Sequence, residues 1–495
     1  MSRRGTLQAA AAAATAVVAG PVLAACAQTP ASGNAGSAAG AAGGVLPVPG
    51  SGVVHLFFQA NVQFIPWNKT TAAIFQQFVD QNFNQNPQYK GIWASVFPTS
   101  WGNASGQIAA SLAGKGYADV LHMCCGDIPT LEQAGMVVPL DPLLRRDNIP
   151  QTLWSKGHLD ADSHAGHLYG LPSYDGTMAI FYRQDILDQL GLPYPDPSWT
   201  YKEAATLFQS CVGKTSTGKP RSGLSVYFDS GQLNWWLRGW GALEMDDTQE
   251  KALMNTTEAA DCLTWVRDNM KSTAIFNGGQ DTNILPSGRA VFAQYHSAHV
   301  VDVGAHLLGT SYKWNLLPNP IWPKGRSTFD TIDCYLVNQA SKNPNEAWEL
   351  MKWVNLGAPQ AGGTFDNAWP KFQIQLNLVT PSLVQLWDYW QTTIVQVAPP
   401  LRNKDLKWFA DAAQKNYAFC TLYYKYQPIQ ADGIVSNWLN QITSGKVSPQ
   451  LGAKQMANQL NALEGASAQS AQALAGVSKL FPTTGANIAA VTPGL

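Results

Sequence analysis

Two sets of histidines in this chain carry side chains that bind metals in other proteins. His164 and His167 have the spacing HxxH, and His296, His299 and His306 follow one another within a short stretch. A zinc site of a known type would add an HExxH helix or a carboxylate at ligand spacing, and neither set has one. The cysteines contain no CxxC pair. The sequence therefore predicts no metal site and no cofactor.

Sequence signatures of catalysis are also missing. The chain has no GxSxG elbow, no P-loop and no GxGxxG turn after a strand. Its 33 acidic residues could still supply two carboxylates on either side of a cleft, which is what glycoside hydrolysis requires. We therefore predict that the protein is not an enzyme, and we keep an exported glycoside hydrolase as the alternative.

The composition is rich in aromatic residues, with 18 Trp and 16 Tyr. Aromatic rings stack on the faces of sugars and neutral amides hydrogen-bond to hydroxyls, so this composition suits an uncharged, hydroxylated ligand. Most of the rings are nevertheless expected to pack in the core. The net charge of −1 over 495 residues gives no electrostatic surface for nucleic acid.

The elements that must position a binding site alternate between strand and helix. The predicted strands are 53–59, 92–96 and 120–123, and the predicted helices between them are 71–81 and 107–112. This βαβαβ order is typical of an open parallel sheet. Further along, Thr200 and Glu203 have the spacing of a capping box and predict the start of another helix. The fold class is therefore α/β.

The first fifty residues have the features of an export signal and a tether. Arg3 and Arg4 precede an alanine-rich apolar run and then Cys26, which is the order of a lipoprotein signal peptide. We predict a signal peptide at 1–25, and a lipidated cysteine with a flexible linker at 26–50. The paired arginines also resemble a twin-arginine export signal. A transmembrane anchor is the alternative, which the weak hydrophobicity of alanine disfavours.

Several segments, in order along the chain, are similar to the motifs of one family. They are 113–120, 131–141, 166–172, 180–185, 190–200, 287–292 and 347–354. The third of these is Gly-His-Leu-Tyr-Gly-Leu-Pro, in which His167 replaces the usual lysine. Together the segments resemble the extracellular solute-binding proteins of the sugar type (family 1), which include maltose-binding protein. The resemblance extends over roughly residues 50–465.

This resemblance implies a periplasmic-binding-protein-like fold of type II, with two α/β lobes joined by crossing hinge strands and a ligand cleft between them. The implied divisions are 51–173 plus 331–363 for lobe 1, 174–330 plus 364–466 for lobe 2, and 467–495 for a low-complexity tail. Chain crossings are expected near 173–175, 329–335 and 362–366.

The resemblance also implies a function and a location. A monomer would bind a sugar, in particular an oligosaccharide, and deliver it to the permease subunits of an ABC transporter. A lipid on Cys26 would hold it at the outer face of the cell membrane, and a sugar-sensing role is a further alternative. Disulfide pairing stays open among Cys124, Cys125, Cys211, Cys262, Cys334 and Cys420.

Ligand contacts are expected just beyond the carboxyl ends of the parallel strands and at the crossings. The candidates are Gln59, Asn61, Trp67, Asp127, Tyr174, Asp175, Trp235, Trp236, Trp240, Tyr295, His296, Asp366 and Trp369. For each ring the alternative is packing in the core. For the carboxylates of Asp127 and Asp175 the alternative is a helix cap or a turn.

Overall fold

The computed structural model describes most of the chain after the first fifty residues. The described ranges are 52–61, 71–99, 118–227, 230–246, 250–270, 273–277, 281–415, 417–419 and 428–478. Cys26, Trp67, Cys420 and the predicted helix 107–112 lie outside these ranges. Every helix within them is too short or too polar to cross a bilayer.

Strands and helices alternate along the first two-thirds of the chain, and helices predominate afterwards. The strands are β1 Val54–Asn61, β2 Ile92–Thr99, β3 Val120–Cys124, β4 Ser163–His164, β5 His167–Leu168, β6 Gly170–Asp175, β7 Met178–Arg183, β8 Gly213–Lys214, β9 Pro220–Tyr227, β10 Ala274–Asn277, β11 Ala290–His296, β12 Trp314–Leu317, β13 Ile321–Trp322, β14 Gly325–Arg326, β15 Thr328–Phe329, β16 Ile332–Val337 and β17 Ala418–Phe419. The α-helices are α1 Thr71–Val79, α2 Ile128–Gln133, α3 Asp141–Arg146, α4 Lys156–Ala161, α5 Gln184–Leu190, α6 Tyr201–Cys211, α7 Ser230–Trp240, α8 Thr257–Met270, α9 Pro344–Leu356, α10 Ala368–Asn377, α11 Trp387–Val397, α12 Lys407–Gln414, α13 Pro428–Thr443 and α14 Pro449–Ser478.

The first sheet has the strand order β2-β1-β3-β16-β6. β1 pairs in parallel with both β2 and β3, whereas β16 is antiparallel to β3 and β6. All three strands predicted for this region are confirmed, with small extensions at their ends. All five residues of β3 are buried, because helices and neighbouring strands cover it on both faces.

The second sheet has the strand order β10-β9-β11-β7-β12, with β8 paired to β9. β9, β10 and β11 are parallel, and β7 runs antiparallel to β11. Helix α6 begins at Tyr201 as predicted, since Thr200 and Glu203 form the capping box in both directions. We call the first sheet with its helices the first lobe, and the second sheet with its helices the second lobe.

The chain passes between the sheets at two short connections that the sequence predicts. One joins β6 to β7 through Gly176 and Thr177, and the other joins β15 to β16 through Asp330 and Thr331. Ser297 Oγ ties the two lobes as well, since it donates to the carbonyl of Asp175 at 2.7 Å. We call this region the hinge.

The third crossing differs from the expectation. Trp369 on α10 packs edge-on against Phe58 and Phe75 of the first lobe, at 5.3 and 5.5 Å between ring centroids. The chain then returns through the hinge, where the amide of Asp175 donates to the carbonyl of Thr380 at 3.0 Å. These contacts favour a crossing near 378–383 rather than 362–366, and they place α10 on the first lobe instead of the second.

The expected low-complexity tail at 467–495 differs in part from the structure. The helix α14 continues to Ser478, so the first part of the expected low-complexity tail is helical.

The cysteines Cys124, Cys125, Cys211, Cys262 and Cys334 are buried and form no disulfide with one another. Burial raises the pKa of the Cys211 thiol to about 12, which keeps it protonated.

Candidate functional site

The carboxyl ends of the parallel strands in both sheets point toward the hinge. In the first sheet, β3 ends at Cys124, which is opposite Asp333 at the start of β16. In the second sheet, β11 ends at His296, which is opposite Met178 at the start of β7. Since β16 and β7 both begin at the hinge, the strand ends of the two lobes face the same space. Ligands of open α/β sheets bind at such strand ends.

On the first-lobe side, two carboxylates occupy the strand ends. Asp127 lies on the turn after β3, and Asp333 is the second residue of β16, just after the second crossing; both keep part of their surface exposed. Burial raises the pKa of Asp127 to about 6. The pKa of Asp333 is also raised, by burial first and then by repulsion from Asp162 and Asp127. Carboxylates so placed can accept hydrogen bonds from the hydroxyls of a ligand.

On the second-lobe side, His296 lies at the end of β11. Its Nδ1 hydrogen-bonds to the carbonyl of Gly176 at 2.5 Å, and Thr331 Oγ1 lies 3.5 Å from the same nitrogen. Burial lowers the pKa of His296 to about 4, so the ring is neutral at physiological pH. A neutral imidazole that touches both crossings is suited to polar contact with an uncharged ligand.

At the centre of the hinge, Asp175 belongs to a buried charged cluster. Its Oδ1 accepts hydrogen bonds from the amide and hydroxyl of Thr177, at 2.6 and 2.5 Å. His158 Nε2 lies 3.7 Å from Asp175 Oδ1 and 3.4 Å from Asp330 Oδ2. The imidazole lowers the pKa of Asp175 despite burial, and the two carboxylates raise the pKa of His158 to about 10. We call His158, Asp175 and Asp330 the hinge triad.

Tyr174 faces the interior of the first lobe in this conformation. Together with Tyr335 and Trp369 it lines a cavity of about 10 Å³, which has room for one water molecule. Its hydroxyl makes no hydrogen bond within the described chain. A larger cavity of about 400 Å³ lies between the loops around Leu153 and Phe365, on the first lobe.

The tryptophans of α7 pack in the second lobe. Trp235 and Trp236 are buried, with their rings 5.3 Å apart, and Trp235 also contacts Trp322. Trp240 packs against Tyr201 at the far end of the helix. At 1.5 Å per residue, it lies about 15 Å along the axis from the start of α7, which follows the strand end. Trp235 and Trp236 therefore pack in the core in this conformation, and a ligand contact by the partly exposed Trp240 stays a prediction.

Four other candidates have structural roles. Tyr295 is buried and donates its hydroxyl to the carbonyl of Asp281 at 2.9 Å. Asp366 accepts from the amides of Ala358 and Ala368, which closes the loop before α10. Gln59 Oε1 accepts from the amide of His122 at 3.0 Å, and bridges β1 to β3. Trp369, the fourth, packs in the first lobe as described above.

The side chains of the two remaining candidates, Asn61 and Trp67, are not among those the structure describes. Asn61 ends β1 at the strand-end side of the first sheet, as expected, and only its backbone is described. Trp67 lies outside the described residues. The prediction of a ligand contact for both therefore stays a prediction.

The sequence reasoning missed three carboxylate or imidazole groups at the hinge. His158 and Asp330 lie far from Asp175 in sequence, and no local motif marks them. Asp333 follows the Asp330 turn at the start of β16, and strand periodicity alone could have placed it at a strand end. The histidines that the sequence singled out pair separately with acids: His164 with Glu132 at 3.5 Å, and His299 with Asp302 at 3.0 Å.

The fold and the facing strand ends define a two-lobed binding protein of the type II periplasmic-binding-protein class. The sequence profile of bacterial extracellular solute-binding proteins matches residues 67–361. This match covers more than half of the chain, so the chain belongs to the bacterial extracellular solute-binding protein family. Members of this family bind solutes and are not enzymes, which disfavours the glycoside hydrolase alternative.

Curated relatives are distant. A binding protein of Brucella abortus is 23% identical over 233 residues, which are 45% of this chain and 54% of that protein. A binding protein of Brucella suis matches with the same identity and coverage. The chain therefore spans about half the length of the curated relatives it matches.

Solved structures share the fold over nearly their whole length. A cyclic α-maltosyl-1,6-maltose binding protein from Arthrobacter globiformis has a TM-score of 0.65 at 16% identity, covering 83% of this chain and 99% of that one. An ABC substrate-binding protein from Listeria monocytogenes, in complex with cycloalternan, has 0.64 at 13%, with 83% and 99% coverage. The sugar-binding protein MalE from Xanthomonas citri has 0.64 at 16%, with 83% and 98% coverage.

Proposed function

We propose that this protein binds a neutral saccharide, in particular an oligosaccharide, between its lobes and delivers it to the permease of an ABC importer. The observation that carries the proposal is the set of strand ends from both sheets that face the hinge, with acceptor carboxylates on one side and a neutral imidazole on the other. Structural relatives that bind cyclic oligosaccharides add support.

The composition of the chain agrees with an uncharged ligand. Charged residues are only 13% of the sequence, and the net charge is −1. The partly exposed carboxyls of Asp127 and Asp333 lie at the strand ends, and an anionic ligand would be repelled by either one in its ionised form. Hydroxyl groups would instead donate to them, which is how carboxylates orient sugars in a cleft.

A calorimetric screen of neutral saccharides tests this proposal. With the saccharide that binds best, Asp127→Asn should weaken affinity about tenfold or more, because a hydrogen bond to a charged group contributes about 1.5–3 kcal/mol. Asp196→Asn is the matched control, since Asp196 forms a turn with Ser198 on the exposed surface. Binding of no saccharide in the screen, or equal losses in the two variants, would contradict the proposed site.

The export signal and the anchor form the second part of the proposal. We expect the lipid on Cys26 to hold the protein at the outer face of the membrane, with residues 27–50 as a tether. Cys26→Ala should move the protein from the membrane fraction to the medium or periplasm. Replacing Arg3 and Arg4 by lysine should block export only if the twin-arginine route is used. Unchanged membrane fractionation of Cys26→Ala would disprove lipid anchoring at this residue.

A further inference from the structure

The hinge triad brings together three side chains from separate parts of the fold. His158 lies on α4, Asp175 ends β6, and Asp330 lies in the second crossing. The three side chains are fully buried. One donor atom from each lies within 4.8 Å of the others. An imidazole with two carboxylates is a ligand set that transition metals, and zinc in particular, bind in proteins.

The donor atoms of the triad are buried and face one another. Within the described residues, His158 Nε2, Asp175 Oδ2 and both carboxylate oxygens of Asp330 are buried and have no hydrogen-bond partner. His158 Nδ1 lies 3.1 Å from the carbonyl of Ser382 and donates to it. This bond orients the ring so that Nε2 faces the two carboxylates, where a metal ion would take the place of the Nε2 proton. A backbone carbonyl on the second ring nitrogen is a common support for a metal-binding histidine.

The two separations from His158 Nε2 exceed a direct charge-assisted hydrogen bond and are close to those between ligands of one ion. His158 Nε2 lies 3.4 Å from one carboxylate and 3.7 Å from the other. A charge-assisted hydrogen bond between nitrogen and carboxylate is about 2.7–2.9 Å long. Ligands at 2.0–2.1 Å from a tetrahedral zinc ion lie about 3.3–3.4 Å from one another.

The charge of the cluster also favours a cation. With both carboxylates ionised and the imidazole neutral, the cluster would carry two negative charges away from water, which is costly. Without a cation, such a cluster must hold protons on its carboxyl and imidazole groups. A divalent ion would supply the missing positive charge and replace the protons.

We propose that His158, Asp175 and Asp330 bind one Zn²⁺ ion, which ties α4 of the first lobe to both chain crossings. The site is separate from the proposed saccharide contacts at Asp127, and it would stiffen the hinge. We assign the ion a structural role, because the side chains of all three ligands are fully buried. Magnesium and calcium, which prefer all-oxygen ligands, should bind it much more weakly.

Metal binding can be measured on the tag-free, chelator-treated chain with ZnCl₂ and CoCl₂. We expect one Zn²⁺ per chain by native mass spectrometry, and strong visible absorption from four-coordinate Co²⁺. His158→Gln and Asp330→Asn should abolish both signals. His167→Gln is the control, since His167 is exposed and lies 3.6 Å from Asp141, and it should retain them. No uptake by the wild type, or full uptake by His158→Gln and Asp330→Asn, would overturn the proposal.

A crystallographic measurement does not depend on folding of the variants. Anomalous diffraction at the zinc edge, from wild-type crystals grown with ZnCl₂, should show a peak about 2.0–2.1 Å from His158 Nε2. A protein that binds saccharide and shows no peak at the hinge refutes the zinc site alone. A peak at the hinge without any saccharide binding leaves the zinc site standing and refutes the proposed function.

Discussion

The interior of the second lobe around Trp322 and the hinge around His158 are both buried, but they are built from opposite kinds of side chain. Trp322 packs against Tyr201, Trp235 and Trp265, with ring centroids 5.0–6.3 Å apart. The hinge triad holds ionisable groups that do not satisfy one another's hydrogen-bonding capacity. Burial in the second lobe therefore stabilises the fold, whereas burial at the hinge costs free energy and indicates a functional requirement.

Truncating the indole cluster should have the largest effect on stability. Trp322→Ala removes a ring that is 4% exposed and should lower the free energy of unfolding by about 3–5 kcal/mol. Chemical denaturation measures this loss, and Trp322→Phe should retain much of the packing. Saccharide affinity of the folded fraction should not change, because the ring lies away from the strand ends. A fall in affinity with unchanged stability would show that the cluster belongs to the cleft.

Adding a methyl group at the hinge should have the next largest effect. A Cβ at Gly176 would lie 2.6 Å from the backbone carbonyl of Thr331, so the two crossings would have to separate. Gly176→Ala should cost about 1–3 kcal/mol and alter the lobe angle measured by small-angle scattering. Gly433→Ala is the matched control, since a Cβ in this exposed helical position meets nothing within 4 Å. The control should stabilise slightly, because alanine favours a helix by about 1 kcal/mol over glycine.

The pH dependence of stability distinguishes the charged hinge from the apolar lobe. In metal-free protein the pKa of His158 is raised from 6.5 to about 10, and that of Asp330 from 3.8 to about 8. Both groups bind protons more tightly when folded, so stability should fall as the pH rises from 6.5 to 9. His296, with its pKa lowered to about 4, changes stability only below this pH range, and Asp162, whose pKa is raised by burial, changes stability in the same direction as Asp330.

His158→Gln should flatten this dependence, as measured by thermal unfolding in the presence of a chelator. His167→Gln should retain the wild-type slope, because His167 is mostly exposed. A wild-type protein whose unfolding temperature does not change between pH 6.5 and 9 would contradict the raised pKa values. Burial at the hinge would then make no pH-dependent contribution to stability, as expected for the apolar interior of the second lobe.

Local patterns in the sequence predicted the first sheet well. Strand periodicity located β1, β2 and β3 to within a few residues, and the Thr200 capping box located the start of α6. These features depend on neighbours along the chain, which the sequence displays directly. The third crossing was wrong because the loop that Asp366 closes is local, whereas the position of α10 depends on Trp369 packing against a distant strand.

The candidate site was harder to predict, because an aromatic residue can either contact a ligand or pack in the core. A tryptophan after a strand end can face a ligand or a neighbouring helix, and Trp235 and Trp236 do the latter. Helical periodicity gave no preference between the two faces of α7. His158 and Asp330 were missed since only the fold brings them to Asp175. Composition therefore predicts an uncharged, hydroxylated ligand, while the contacts depend on tertiary packing.

Tyr174→Phe should have the smallest effect, and it tests whether Tyr174 only packs in the first lobe or also contacts the ligand. The Tyr174 hydroxyl is buried without a hydrogen-bond partner in the described chain, beside the cavity of about 10 Å³. Removing an unsatisfied hydroxyl should change stability by less than about 1 kcal/mol, and a rise is as reasonable as a fall. Saccharide affinity should stay within about twofold, because the ring faces the first-lobe interior. A tenfold loss of affinity at unchanged stability would show instead that the hydroxyl turns into the cleft when a ligand binds, and would restore Tyr174 to the ligand site.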